Sequence, residues 1–249
     1  DAVAKSTPDG YTILAASAGP VSVAPLLQKT PYDVAKDLTP IALTGLSPYV
    51  LVTNPKFPAK DAAEFVKLVK ASPDKYTFAS SGTGATAHLV AEAFNAALGL
   101  KAIHVPYKGS SPALSDVLAG RVDYCLETAA ATMPFVKDGR LKGLGVSLEK
   151  GSLVTPGVPA LATAVNIPGF NLGAWAGVMG PAGMPPEVVA RLSKAVREVM
   201  QSDDIKEVFM RIAIEIDFRE QAEFLKYLEA TRVQFTDVIQ RNNIKLEGT

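Results

Sequence analysis

The chain has 249 residues, of which 48% are hydrophobic and 20% are charged, and its 25 basic and 25 acidic residues cancel. A neutral balance with no basic run among aromatics argues against nucleic acid as a partner, and no apolar stretch reaches the roughly 18 residues of a membrane span. The single cysteine, Cys125, excludes an internal disulfide and a zinc site built from several cysteines. It lies in "RVDYCLET", a strand pattern that favours a buried structural thiol over a nucleophile.

Short apolar segments alternate with helical ones along most of the chain. The opening residues 1–5 resemble the end of a helix whose beginning is absent, so we expect an N-terminal piece to be missing. Predicted strands cover residues 11–16, 40–46, 49–53, 76–80, 102–106, 122–126, 141–147 and 172–179. Predicted helices cover residues 61–71, 86–98, 111–119, 129–137, 185–201, 203–212 and 221–242, and the chain after Gly180 is almost wholly helical. This alternation predicts an α/β fold with mainly parallel sheets flanked by helices.

The segment "YTFASSGTGATAHLVAEAF" runs from a predicted strand through a glycine-rich turn into a predicted helix. Gly82, Gly84 and Ala87 have the spacing G-x-G-x-x-A, and three hydroxyl side chains lie in the same turn: Ser81, Thr83 and Thr86. Backbone N–H groups at a helix start have no intrahelical partner and carry a partial positive charge. The turn therefore predicts an anion cradle that suits phosphate or carboxylate equally.

The same spacing occurs in dinucleotide-binding turns, where an acidic residue about 20 positions later holds the ribose. Here the next strand, in "AIHVPYKG", ends in Tyr107 and Lys108, without an acidic residue. An enzyme that binds a nucleotide or phosphorylated substrate at Gly82–Gly84 is the alternative function. A turn that merely caps its helix is the structural alternative, and we expect no cofactor.

Other candidate site residues are isolated along the sequence. His88, on the first turn of the helix, is expected to pack or hydrogen-bond near the loop rather than to act as a base. Glu127, in "CLETAAATMP", either faces a cleft or is a solvated loop carboxylate. Trp175, in "NLGAWAGVMGP", either belongs to the core or lines a ligand cleft. No G-x-S-x-G nucleophile turn occurs, and the sequence predicts neither an enzyme nor a metal site.

Many segments together resemble one family. They include "STPDGYTILAAS", "TPYDVAKDLTPIAL", "VTNPKFPAK", the glycine-rich segment, "HVPYKGSSPALSDVLAGRVDY", "VKDGRLKGLGV", "GVPALATAVNIPGF" and "WAGVMGPAGMPPEVVARL". In this order they resemble the Bug receptors, the extracytoplasmic solute-binding proteins of tripartite tricarboxylate transporters. The resemblance implies a two-lobed, type II periplasmic-binding-protein fold with the ligand cleft between the lobes. Lobe one would comprise residues 1–50 and 172–249, with its N-terminal part missing, and lobe two residues 51–171.

The resemblance also implies a function. A monomeric periplasmic receptor would bind a small organic acid (a di- or tricarboxylate, an aromatic acid or an amino acid) and deliver it to the transporter's membrane components without catalysis. Family members hold the carboxylate through backbone N–H groups, hydroxyls and waters, and Ser81–Thr86 matches one half of that clamp. Ser17, in "SAGPVSVAP", matches a loop of the other lobe. Two departures keep the acid's identity open: about fifty N-terminal residues are absent, and "LETAAATMP" replaces a commoner Asp-containing loop.

Overall fold

The computed structural model describes residues 1–245, and backbone contacts divide the described chain into two compact units. Unit 1 contains Asp1–Leu46 and Ala174–Asp237, and unit 2 contains Ser47–Gly173 with the described residues from Val238. The sequence interpretation places the end of the chain with the first lobe, whereas these contacts group the residues from Val238 with unit 2.

The elements alternate along most of the chain, as the sequence pattern predicts. The strands are β1 (Leu14–Ser17), β2 (Leu38–Thr53), β3 (Thr77–Ser80), β4 (Ile103–Pro106), β5 (Tyr124–Thr128), β6 (Lys142–Val146), β7 (Gly173–Pro181) and β8 (Glu215–Glu220). The helices are α1 (Ala24–Leu27), α2 (Val34–Asp37), α3 (Ala62–Ala71), α4 (Thr86–Leu98), α5 (Ser110–Leu118), α6 (Ala129–Lys137), α7 (Leu161–Ala164), α8 (Pro186–Gln201), α9 (Asp203–Arg211) and α10 (Gln221–Arg241). A 3-10 turn covers Val3–Lys5, and a π-helical turn covers Gly19–Val23. The seven predicted helices agree with α3–α6 and α8–α10 within one residue at each end.

Unit 1 is a sheet packed against helices. β1 and β7 pair antiparallel, and β8 pairs antiparallel with the first part of β2. A buried cluster of Ile41, Ala42, Met184 and Val189 packs α8 and the turn before it against β2. Burial of such side chains is the main favourable contribution to folding, at about 1.5–3 kcal/mol for each large one.

Unit 2 is built around β3, which lies between β4 and β5 and runs parallel to both. The second part of β2 pairs antiparallel with β5 and with β6. The fully buried ring of Phe65, on α3, meets that of Tyr124, on β5, edge-on at a centroid distance of 4.9 Å. The Tyr124 hydroxyl donates to Asn95 Oδ1 of α4 at 2.9 Å, so α3 and α4 cover one face of β5. α5 and α6 also pack on β5.

The prediction of mainly parallel sheets is wrong in its strand directions. Within unit 2 the pairings of β3 with β4 and β5 are parallel, but β2 pairs antiparallel with β5 and β6, which makes the sheet mixed. In unit 1 the pairings of β1 with β7 and of β2 with β8 are antiparallel. A helix between two consecutive strands predicts parallel pairing only for those two strands. β2 and β7, which contribute residues to both units, pair with strands that do not adjoin them in the chain.

Two predicted strands, at 40–46 and 49–53, form one strand of 16 residues, β2. The sequence Ser47-Pro48 resembles a turn, yet β8 pairs with residues 42–46 and β5 with residues 49–53. The proline lies between the two ladders, where its missing N–H interrupts neither.

The prediction that the chain after Gly180 is almost wholly helical is also wrong, because β8 follows α9. In this strand the apolar residues Ile216 and Phe218 alternate with Asp217 and Arg219. That period of two is typical of a strand. The charged pair is joined by a salt bridge of 2.6 Å between Arg219 Nη2 and Asp217 Oδ2.

Candidate functional site

Three helices of unit 2 begin at the same edge of its sheet. Because β3 runs parallel to β4 and β5, the carboxyl ends of the three strands, at Ser80, Pro106 and Thr128, lie on one side. The strands lead into α4, α5 and α6, and the residue before each helix makes no side-chain cap hydrogen bond. We name this region the amide edge and define it as residues 80–88, 106–111 and 127–130.

The amide edge contains backbone N–H donors that make no hydrogen bond within residues 1–245. In each of α4, α5 and α6, the N–H groups of the first two residues make no hydrogen bond within the described part of the chain. Such groups carry the positive end of the helix dipole. Three helix starts at one edge favour an anion there, and a carboxylate or a phosphate satisfies them equally.

The loop between β3 and α4 depends on two glycines. Gly82 has a φ of +139° and Gly84 a φ of +76°, both in the region that side chains disfavour. A Cβ atom on Gly82 would lie 3.3 Å from the Tyr107 carbonyl oxygen, so the backbones of two loops approach closely here. The loops are joined by hydrogen bonds from Tyr107 N to Ser80 O, at 3.0 Å, and from Gly109 N to Ser81 O, at 3.1 Å.

Six hydroxyl groups at the amide edge make no hydrogen bond with the described residues. They belong to Ser81, Thr83, Thr86, Ser110 and Thr128, which are partly exposed, and to Ser111, which is exposed. The structure thus brings together the predicted residues of the Ser81–Thr86 loop. It adds Ser110 from the next helix, which sequence reasoning missed because its nearness follows from the parallel pairing of β3 and β4.

His88 supports the loop through a hydrogen bond to its backbone. It is 4% exposed, and its Nδ1 accepts a hydrogen bond from the backbone N–H of Gly84 at 3.1 Å. With Nδ1 as an acceptor, the neutral ring carries its proton on Nε2, which lies 3.6 Å from Glu92 Oε1. The prediction that His88 hydrogen-bonds near the loop is confirmed, and its accepting nitrogen is occupied.

His104 completes this support, which sequence reasoning missed because His88 and His104 lie on separate elements. The two imidazoles stack with centroids 3.9 Å apart and planes inclined by 9°. Phe78 stacks on His104 at 4.8 Å, and the Oγ of Ser80 lies 2.7 Å from His104 Nε2. Ser80 is fully buried and also hydrogen-bonds the backbone of Gly82, so this Ser–His pair holds the loop rather than presenting a nucleophile.

Burial and, to a smaller extent, the neighbouring His88 together lower the pKa of His104 to about 4. A histidine whose pKa is lower in the folded chain binds its proton more readily when unfolded. Its contribution to stability is therefore complete above the unfolded value of 6.5 and is lost as the pH falls from there towards about 4.

We expect the free energy of unfolding to fall more between pH 7 and pH 4.5 in the wild type than in His104→Gln. The difference should be about 1 kcal/mol, reduced from the full linkage value because the ring is partly exposed. Urea denaturation of both proteins at the two pH values measures it. Equal losses would show that His104 is not the titrating group.

Glu127 lies at the end of β5, opposite Val50 of β2. It is 1% exposed, so the solvated position left open by the sequence is excluded. Its Oε2 accepts a hydrogen bond from the backbone N–H of Thr128 at 3.1 Å, whereas its buried Oε1 has no hydrogen-bond partner in the described chain.

Ser17 and Trp175 belong to unit 1. Ser17 is an exposed residue at the end of β1, just before the π-helical turn. Trp175 is 2% exposed, its indole N–H donates to Ser22 Oγ at 3.1 Å, and its ring meets Phe224 edge-on at 5.2 Å. The arrangement of Trp175 is that of a core residue, and a ligand-lining role for either residue stays a prediction.

Two grooves lie elsewhere. One of about 780 Å³ in unit 1 is lined largely by apolar residues such as Val21, Leu26 and Leu228. One of about 590 Å³ in unit 2 includes Tyr76 and Val122, at the amino ends of β3 and β5 and so opposite the amide edge. Neither groove contains the uncapped helix starts, and we assign the site by its donors rather than by the size of a depression.

Other chemistry is limited in residues 1–245. No cluster of three His, Cys, Asp or Glu side chains in this range is arranged to hold a metal ion. Cys125 is fully buried, as its strand pattern predicts, and burial raises the pKa of its thiol. Of the helices in this range, none combines the length and the apolar character needed to cross a bilayer.

Solved structures share this architecture. One, from R. palustris with adipate, is 28% identical, with a TM-score of 0.81 over 98% of this chain and 82% of that chain. Another, MatC from Rhodopseudomonas palustris with bound malate, is 28% identical, with a TM-score of 0.76 over 96% of this chain and 82% of that chain. Together with the amide edge, they define the class: the chain has the α/β fold of periplasmic solute-binding proteins, as predicted.

The family follows from the sequence comparisons. The model of the tripartite tricarboxylate transporter family receptors matches residues 1–244, and the chain belongs to that family. Among similar proteins is BugT of Bordetella pertussis, 36% identical over 84% of this chain. The match covers 64% of BugT, so the chain spans less than two thirds of that relative's length. The predicted resemblance to the Bug receptors is confirmed.

Proposed function

We propose that the protein is a periplasmic receptor that captures a small organic carboxylate at the amide edge and delivers it to the membrane components of a tripartite transporter, without catalysis. The observation that carries this proposal is the convergence of three uncapped helix starts with unpaired hydroxyls in unit 2. Adipate and malate, bound by two structural neighbours, are ligands of the proposed chemical class.

The donor set suits capture and release. It binds negative charge through N–H and O–H groups, and Lys108, which follows β4, is an exposed cation at its margin. Hydrogen bonds to a charged group contribute about 1.5–3 kcal/mol each, so a few of them hold a carboxylate without a buried cation. A receptor that must release its ligand benefits from such a moderate set.

The alternative function, an enzyme that binds a nucleotide, lacks the acidic residue that a dinucleotide site requires. A dinucleotide site uses an acidic residue at the end of the strand after the glycine-rich turn. That strand is β4, and Tyr107 and Lys108 follow it. The nearest acidic residue on the next helix, Asp116, accepts hydrogen bonds from Tyr107 at 2.6 Å and Arg121 at 2.8 Å.

Thr83→Ala should weaken carboxylate binding by about 1–2 kcal/mol, roughly 5- to 30-fold, because it removes an unpaired hydroxyl at the loop. Thr236→Ala is the control, since that exposed hydroxyl bonds only the carbonyl of Arg232 in its own helix. Isothermal titration calorimetry with adipate and malate gives both affinities. If Thr83→Ala binds like the control, its hydroxyl does not contact the ligand.

A further inference from the structure

Glu127 carries the one carboxylate of β5, and one of its two oxygens has no hydrogen-bond partner in the described chain. Its Oε2 accepts from the Thr128 N–H, whereas its Oε1 is buried without a hydrogen-bond partner in the described chain. A buried charged oxygen without a donor costs free energy that folding must offset. A ligand that donates a hydrogen bond to Oε1 would account for this unpaired oxygen, because the chain belongs to a family of ligand-binding proteins.

The register places this side chain at the amide edge. Along β5, side chains alternate between faces, so Glu127 points to the same face as Cys125 and to the opposite face from Tyr124. Tyr124 faces α3 and α4, where it meets Phe65 and Asn95. Glu127 therefore lies on the other face, one residue before the end of β5 and two before the start of α6.

The negative charge of Glu127 acts against the binding of a second anion close to it. The helix starts attract an anion, but a second negative group brought next to a buried carboxylate would be repelled. A ligand that carries a hydrogen-bond donor beside its carboxylate avoids this conflict. Its carboxylate meets the N–H and hydroxyl groups, and its donor meets Oε1 of Glu127.

We propose that Glu127 is a specificity-determining residue that accepts a hydrogen bond from the ligand, so that the receptor prefers amino acids and hydroxy acids to the same acids without a donor. This inference rests on the proposed function and narrows its substrate class. An ammonium group pairs with a carboxylate more strongly than a hydroxyl does. The expected order of affinity is therefore aspartate, then malate, then succinate, three acids that share one carbon skeleton.

Calorimetry on the wild type tests the order directly. We expect aspartate to bind about 10- to 100-fold more tightly than succinate, the range for a hydrogen bond to a charged group, with malate between them. Succinate binding as tightly as aspartate and malate would overturn the inference while leaving carboxylate capture intact. If no small carboxylate binds, including adipate, the proposed function fails and the inference fails with it.

The variant Glu127→Gln assigns the preference to this side chain. Its amide has nearly the same shape and can donate a hydrogen bond, so aspartate should bind more weakly and succinate more tightly, leaving them within about 3-fold. Glu64→Gln is the control, because it removes the same charge from the same unit at a helix start where its Oε2 accepts from Lys60 N at 2.9 Å. An unchanged preference in folded Glu127→Gln would assign it to another residue. Should that variant not fold, Glu127→Asp, which keeps the charge but withdraws it from the site, should reduce the preference, and an unchanged preference there would also overturn the assignment.

Discussion

Gly84→Val should lower the affinity for the carboxylate ligand about 30- to 100-fold, corresponding to about 2–3 kcal/mol, through the backbone rather than through a lost side chain. Gly84 has a φ of +76°, which a β-branched residue adopts only with strain. Its N–H is also the donor to His88 Nδ1. A shift of this residue therefore moves the loop that carries Thr83 and the start of α4.

Gly99→Val is a matched control for that loss. Gly99 ends the same helix with a φ of +63°, and no atom lies within 4 Å of the position of its Cβ. Both variants should lose about 1–3 kcal/mol of stability from the strained backbone, but only Gly84→Val should lose affinity. Calorimetry measures the affinities, and urea denaturation measures the stabilities. Equal affinities in the two variants would mean that the loop only caps its helix.

Phe78→Ala should lower the free energy of unfolding by about 3–5 kcal/mol, the usual cost of removing a buried phenylalanine ring. Phe78 is fully buried and stacks on both His104 and His88. These two histidines hold Ser80 and Gly84. The same substitution should therefore loosen the amide edge and weaken ligand binding.

Phe65→Ala separates the two effects. Phe65 is equally buried and packs against Phe57, Phe94 and Tyr124 rather than against the histidines. It should cost a similar free energy of unfolding but leave the ligand affinity near that of the wild type, measured at a temperature where both variants are folded. If the two variants bind equally well, the histidine stack does not support the site.

The sequence predicts the site's main segment because local chemistry decides it. Gly82 and Gly84 are needed for positive φ, and a helix that starts at Thr86 must expose its first N–H groups whatever the rest of the chain does. Predicted helices 86–98 and 129–137 match α4 and α6 to the residue. The α/β class follows from the same alternation of short apolar and helical segments.

What the sequence could not predict depends on which segments meet. The stacking of His88 on His104 joins residues on α4 and β4, and no periodicity reveals it. The prediction of strand direction failed for β2, because its neighbours in the sheet are far from it in the chain. Whether Glu127 was solvated or enclosed depended on the helices that cover the face opposite Tyr124. Among the features that the prediction missed, β8 alone could have been recognised from its own residues, because apolar and charged side chains alternate along it.

Carboxylate capture at the amide edge is tested most directly by calorimetry with adipate, malate and aspartate and, in parallel, with NAD, FAD and ATP, combined with amide NMR shifts of the protein. We predict that at least one carboxylate binds, shifts the amides of Thr86, Ala87 and Ser110, and stabilises the protein by about 2.7 kcal/mol at a hundredfold excess over Kd. We expect no binding of the nucleotides at this loop. A nucleotide that binds and shifts these amides, while every carboxylate leaves them unmoved, would contradict carboxylate capture at the amide edge.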